Sequence, residues 1–536
     1  MTTFIAPTID WGALTPLLIL LGGAVLGVVL ETFVPARARR AAGLFLSVTV
    51  IAGALVAVVW RWTVVLASAN PAPNYAIQPA RGQGLPHGLL PEDPFGLAAQ
   101  GILLIIALVA LLVIADRTQT LEGSFASQVS TRPGSLDEAD SDRLGMQQTE
   151  VFALTLFALG GMMVFPVAND LLTLFIALEL LSLPLYLLSA TARRRRLLSQ
   201  EAAAKYFILG AFASAFFLMG IALLYGYSGS LRFAEIAVAV PQVAGMDWLL
   251  LAGVTLVLVG LLFKVGAVPF HTWTPDVYQG APTPITGFMA AATKAAAFAA
   301  MLRFLYTAAS GLQDYLLPAL TVIMVLTMLV GTAVGIVQND IKRLLAYSSI
   351  AHAGFILIGV ASLQSLAISS VLFYLLAYGL ATVGAFALIT LVREHDEDGT
   401  VTGEATSLQR WKGVGRRRPA VGVAMTIFLL SFAGIPLTAG FVGKFWVFSA
   451  GLASGSPLLI AMVVLAVLAS AATAYFYFRI IVLMFFEEPA DDSAVVVSSE
   501  GLTTVAVALC VFGTVALGVF PGPVLDLLRS AAVFLL

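Results

Sequence analysis

NDLLTLFIALELLSLPLYLL, residues 169–188, decides the fold class. After Asp170 the run carries a single charge, Glu179, near its centre. At 1.5 Å per residue an eighteen-residue helix reaches about 27 Å, close to the hydrocarbon thickness of a bilayer. A helix at a water-facing surface would need a polar stripe, and this run has none. It therefore reads as a membrane span with Glu179 near mid-depth.

Outward from that run the pattern repeats. Apolar stretches of spanning length occupy about 12–34, 42–66, 95–115, 149–168, 170–191, 201–226, 249–269, 284–309, 314–337, 345–361, 366–392, 420–450, 457–486 and 500–520. Each is expected to be helical, because lipid offers no partner to an unpaired backbone group. The fold class is thus an all-α polytopic membrane protein with about 14 transmembrane helices. Composition agrees: 60% of the 536 residues are hydrophobic and 11% charged, against about 25% charged in soluble domains. That excludes a soluble enzyme and a disordered chain. A net charge of −2 supplies no basic field for nucleic acid. Cys510 is the only cysteine and the four histidines lie far apart, so no iron–sulfur, zinc or disulfide framework is expected. MTTFIAPTIDWG lacks a basic start, so the first run is expected to be a retained span.

Lysine and arginine positions orient the bundle. Alternate connections hold Arg37, Arg39 and Arg40; Arg117, Arg132 and Arg143; Arg193 to Arg196; Lys342 and Arg343; and Arg393, Arg410, Lys412 and Arg416 to Arg418. The opposite connections hold Arg81 and Arg232, with Arg61 near a helix end. The first set is expected in the cytoplasm, with both termini outside. The organisation reads as three N-terminal spans (1–115), a flexible cytoplasmic loop (116–148), two five-helix units (149–309 and 314–486) and a last span with its tail (500–536). A five-helix unit inserts its second copy upside down, as in inverted-repeat transporters. The fourth helix of each unit carries a lysine near a Pro/Gly break: FKVGAVPFHTW (263–273) and FAGIPLTAGFVGKFWVF (432–448). Spans seven and twelve are therefore expected to be broken helices. The acidic loop at 487–499 reads as a plain solvated connection.

Charges deep in the spans are few. Glu179, Lys264, Lys294 and Lys444 would each cost roughly 2.5–3.5 kcal/mol at a bilayer centre, so they must face the interior and find partners or water. A buried Glu–Lys pair acts as a proton switch: closing it holds the amine proton and opening it eases release. Inert interhelical ion pairs are the structural alternative. His352, in SSIAHAGF, fits a relay or a hydrogen-bonded packing histidine. Lys205 beside Glu201 fits a path residue or a lysine snorkelling to the interface. Asp340, Lys342 and Arg343 read as a structural corner, Arg303 and Arg479 as snorkelling arginines, and Gly331/Gly335 as close helix packing. Gly443–Lys444 ends like a phosphate loop, but Thr438 and Phe445 break that motif. No dinucleotide fingerprint follows a strand, and no strands are expected.

EAAAKYFILGAFASAFFLMGIALLYG (201–226), LFKVGAVPFHTWTPDVYQGAPTPITGFMAAATKAAAF (262–298), NDIKRLLAYSSIAHAGFILIG (339–359) and GIPLTAGFVGKFWVF (434–448) resemble the antiporter-like membrane subunits of respiratory complex I, over about 149–486. The resemblance implies a proton-transfer axis: Glu179 paired with Lys264, Lys294 as the connection to the centre, Lys444 as the terminal group of the second half, and Lys205 and His352 as further axial positions. Lys444, and a chain ending after fourteen spans, separate it from family members with a glutamate there or a long lateral helix. The resemblance also implies that NADH, FMN, iron–sulfur clusters and quinone belong to partner subunits, membrane and peripheral, and that this chain binds no cofactor, metal or nucleic acid. The alternative is a subunit of an Mrp-type cation/proton antiporter, driven by an ion gradient. A scaffold with inert buried charges is the third reading.

Overall fold

The computed structural model describes residues 8–67, 77–78, 88–118, 123–127, 131, 135–143, 150–243, 245–395, 401–489, 494–532 and 534. Helices α1 (Trp11–Phe33), α2 (Ala36–Ala67) and α3 (Pro94–Ala115) precede a short α4 (Leu136–Arg143). The first central group is α5 (Glu150–Val164), α6 (Leu171–Ser189), α7 (Arg196–Ser228), the short α8 (Phe233–Ala239), α9 (Asp247–Val265), α10 (Trp273–Gly280), α11 (Thr283–Phe288) and α12 (Lys294–Thr307). The second is α13 (Gln313–Ile336), α14 (Ile341–Ala361), α15 (Ser365–Leu391), the short α16 (Val414–Arg417), α17 (Pro419–Ala433), α18 (Ala439–Ala453) and α19 (Pro457–Phe485). Helices α20 (Leu502–Val519) and α21 (Gly522–Ser530) close the chain.

Thirteen helical stretches among the described residues are long and apolar enough to cross a membrane, and α17 and α18 are two shorter apolar helices. Taken together as one interrupted crossing, α17 and α18 supply the fourteenth. Helix α15 is the hub: it packs on α3, α11, α12, α14, α17, α18, α20 and α21. The spans at 283–307 and 365–391 are wholly enclosed, whereas α2, α7 and α19 turn large apolar side chains such as Phe45, Phe212 and Leu468 outward. Close approach is built from small residues. A Cβ at Gly331 would strike the Ala351 backbone, and one at Gly335 would press on the Phe476 ring. This bears out the packing role of that pair.

Both lysine-bearing spans are broken. Gly266 ends α9 at φ +75°, and Gly434 ends α17 at φ +81°. At these two positions glycine is required by conformation and by space, because a Cβ would meet Thr274 Oγ1 and Lys444 Cδ respectively, each at 2.9 Å. A further break lies in the span at 283–307, where Met289–Thr293 winds as a π-helix just before Lys294.

Strands correct the all-helical expectation for the connections. Thr8–Ile9 (β1) pairs with Ile77–Gln78 (β2). Val392–His395 (β3) pairs with Val401–Glu404 (β4) and with Val495–Val496 (β5). The 487–499 segment thus contributes a strand, and Glu487 pairs with Lys412 at 2.8 Å. Within 116–148, Glu138 on α4 is held by Arg196 at 2.8 Å.

The basic connections meet on one end of the bundle. Arg40 bonds the Ala115 carbonyl and Glu500, Arg195 pairs with Glu394 at 3.6 Å, and β3–β5 lie among them. The other end gathers Asp10, Arg61, Glu92, Asp93 and Arg232. Arg81, Arg132 and the Arg37 side chain lie outside the described residues.

Candidate functional site: a buried line of lysines and hydroxyls

Lys264 sits in the last turn of α9 and is 4% exposed. Its Nζ has no hydrogen-bond partner among the described residues and lies over the rings of Tyr206 (5.2 Å), Tyr186 (5.5 Å) and Phe263 (5.8 Å). Aromatic faces of this kind attract a cation without accepting its protons. The carbonyl of Phe263, in the last turn of α9, accepts from the Gly266 N–H at 3.1 Å and from Trp273 Nε1 at 2.9 Å. Glu179 on α6 does not close on Lys264; it accepts a hydrogen bond from Ser214 Oγ of α7. The structure therefore holds this pair open. Tyr206 Oη and Thr274 Oγ1 are likewise buried without partners among the described residues, a polar concentration of the kind that ordered water satisfies.

From this box a chain of contacts leads inward. Tyr206 stacks on Trp273 (4.7 Å between centroids), and Trp273 meets Tyr278 edge-on at 6.3 Å. Tyr278 lies beside Ser349 of α14. The π-turn delivers Lys294 to that point, where Nζ donates to both the hydroxyl and the carbonyl oxygen of Ser349 and sits 5.5 Å from the Tyr378 ring centre. π-turns recur at functional positions because they re-aim one side chain within an otherwise regular helix.

Helix α14 carries the line onward. Ser348, His352 and Phe355 are spaced four and three residues apart and so share one face. His352 is 2% exposed. Its Nδ1 meets Tyr374 Oη at 2.6 Å and its Nε2 meets Tyr477 Oη at 3.2 Å. Tyr477 also bonds Ser348. An imidazole bonded at both nitrogens to hydroxyls can exchange donor and acceptor roles. Beyond it, Lys444 Nζ lies 5.1 Å from the Phe355 ring centre. That ammonium is fully engaged, with Phe432 O at 2.8 Å, Ala433 O at 3.1 Å and Ser470 Oγ at 2.6 Å. It collects the carbonyls left open where α17 ends, and a helix C-terminus favours a cation.

Five of the six expected residues thus belong to this region; Lys205 does not. Its side chain is 43% exposed and pairs with Glu201 and Asp276, both at 2.7 Å. Asp276 also binds Arg343 at 2.8 Å. Lys205 belongs to a surface ion cluster on the arginine-rich end, beside the Asp340–Lys342–Arg343 corner. Arg303 corrects the snorkelling expectation: it is fully buried, with Asp93 at 2.7 and 2.8 Å and the Pro166 carbonyl at 2.6 Å. Arg479 bonds Asn339 Oδ1 at 2.8 Å. Sequence reasoning missed Ser349, Tyr278, Tyr374, Tyr378 and Tyr477. Ser348 and Ser349 stand within a turn of His352, and that spacing is the signal that was available.

Residues 168–470 match the family described as NADH:quinone oxidoreductase/Mrp antiporter, transmembrane. The chain belongs to this family of antiporter-like membrane subunits. It is 57% identical to the NADH-quinone oxidoreductase subunit N of Beutenbergia cavernae, over 99% of each chain. It is 48% identical to the protein of the same name from Mycobacterium tuberculosis, over 98% of each. A chain of respiratory complex I from Thermus thermophilus superposes with TM-score 0.73 at 31% identity, covering 95% of this chain and 98% of that one. A chain of the Mrp complex from a Dietzia species superposes with TM-score 0.76 at 22% identity, covering 97% of each. Fold alone does not separate the two branches of the family. Sequence identity does, and it falls on the subunit N side.

Proposed function

We propose that this chain is subunit N of a bacterial NADH:quinone oxidoreductase, a proton-translocating membrane subunit that assembles with the other membrane and peripheral subunits of complex I. Near full-length identity to subunits of that name carries this reading. The NADH, FMN, iron–sulfur and quinone chemistry takes place in those partners, and this chain holds no cofactor. It lies in the plasma membrane with its arginine-rich end in the cytoplasm and both termini outside. Protons pass along Lys264, Lys294, His352 and Lys444, with the serine and tyrosine hydroxyls between them. The two central groups act as inverted units, each with a lysine at a helix break.

Glu179 sets the state of Lys264. When the carboxylate turns from Ser214 to the ammonium, the lysine proton is held; when it turns back, Lys264 faces only aromatic rings and water. Moving each charge against the membrane costs about 2.3 kcal/mol per 100 mV, so this exchange must be driven by the redox steps. The deciding experiment compares wild type with Lys264→Ala in membrane vesicles, recording NADH-driven proton uptake, NADH:quinone turnover and copurification together. Loss of both activities with the complex intact supports the reading. Unchanged activities, or a chain that does not copurify with an NADH-oxidising complex, would return the case to the Mrp-type or scaffold alternatives.

A further inference from the structure

At the arginine-rich end, a small cavity, with about 30 Å³ open to the centres of water molecules, lies between the start of α7, the α10–α11 joint, the start of α14 and the β3–β4 hairpin. Arg193, Arg194, Arg195, Lys342 and Arg393 line it, against one carboxylate, Glu404. Two of these cations are buried. Lys342 is 2% exposed, and among the described residues its hydrogen bond is Nζ to the Ala281 carbonyl at 2.8 Å. Arg393 is 8% exposed, and among the described residues its hydrogen bond is Nε to the Thr390 carbonyl at 2.9 Å. Neither has a carboxylate within 4 Å among the described residues. Arg195, by contrast, is matched by Glu394 at 3.6 Å and Thr406 Oγ1 at 2.8 Å.

Glu404 and Asp340 act on Lys342 only from beyond ion-pair distance, and a buried cation with no carboxylate in direct contact is unfavourable. Two such cations facing one cavity favour an anion between them. Guanidinium with ammonium is the donor set that phosphate oxygens prefer, and basic pockets between spans on the cytoplasmic side take phospholipid head groups. We propose that this cavity binds a phosphate group through Lys342 and Arg393. Because Lys342 also holds the carbonyl at the α10–α11 joint, the bound anion steadies the broken span that ends in Lys264.

The test uses the intact, delipidated complex with two ³²P-labelled probes, orthophosphate and phosphatidylglycerol, and with ³H-labelled diacylglycerol, which has no phosphate, as the control. Wild type is expected to hold one of the labelled probes at least tenfold more tightly than Arg393→Gln, with partial recovery in Arg393→Lys. Retention of phosphatidylglycerol that excess orthophosphate does not displace identifies a lipid head group. Saturable orthophosphate binding without lipid retention identifies free phosphate. Lys342→Gln is expected to give the same loss, and Arg393→Gln keeps the test decisive if that variant fails to assemble. Equal binding of both probes to wild type and Arg393→Gln, or binding of diacylglycerol as tight as that of phosphatidylglycerol, overturns the proposal.

Discussion

The two helix breaks solve the same backbone problem in opposite ways. Where α17 ends, Lys444 itself gathers the open carbonyls of Phe432 and Ala433. Where α9 ends, the Gly266 N–H and an indole take the Phe263 carbonyl, and Lys264 is left among three rings with no acceptor among the described residues. One lysine is locked into its break and the other is poised beside it. The difference teaches that similar positions of a lysine near a break do not fix its state. What fixes it is which neighbouring donor reaches the carbonyls first.

The largest expected effect follows from the poised site. Lys264→Met should lower NADH-driven proton uptake by about 10²-fold or more, the scale at which positioned proton-transfer groups contribute, while the complex still copurifies. The packing there already tolerates a lysine with no hydrogen bonds, so an apolar side chain of similar length leaves nothing newly unsatisfied. Lys444→Met should differ in kind. It removes a proton carrier and also strips the Phe432 carbonyl of its donor, at about 1–3 kcal/mol, while Ser470 still reaches the Ala433 carbonyl at 3.3 Å. A lower melting temperature of the complex should accompany its loss of uptake. Equal stability of the two variants would break the comparison.

Ser214→Ala tests the switch with a smaller change. Without the serine hydroxyl, Glu179 loses its present partner and is free to close on Lys264. Turnover should fall by about fivefold, equivalent to about 1 kcal/mol in the barrier. Difference infrared spectra should show the carboxylate band of Glu179 shifted, and Glu179→Gln should abolish that shift. A turnover unchanged by Ser214→Ala would mean that the open pair plays no part in the rate.

The spans were legible in the sequence because burial in lipid demands long uniform runs, and the breaks were legible because glycine and proline interrupt them. Lys264, Lys294 and Lys444 stood out because a charge in such a run is expensive. The hydroxyls did not, since tyrosine and serine pass as ordinary span residues by hydropathy and only the packing of α14 against α15 and α19 assembles them around His352. Arg303 was misread for a related reason: its partner Asp93 lies 210 residues away, and a position near a helix end says nothing about such a pairing. The π-turn before Lys294 has no marker in the alanine-rich MAAAT segment.

The smallest effect is expected at Lys205, and it sharpens the boundary of the path. Its spacing from Glu201 matched a surface pair as well as an axial residue, and Asp276, 71 residues on, draws it into a part-buried ion cluster with Arg343. Exposed pairs of this kind contribute about 0–1 kcal/mol, and the remaining Asp276–Arg343 pair keeps the cluster together. Lys205→Ala should therefore change proton uptake and turnover by less than about twofold, the change that 0.4 kcal/mol produces, at a salt concentration that screens the exposed charges. A loss on the scale of Lys264→Met would place Lys205 on the path after all. The ion cluster at the arginine-rich end, and not only the buried line, would then have to carry protons toward Lys264.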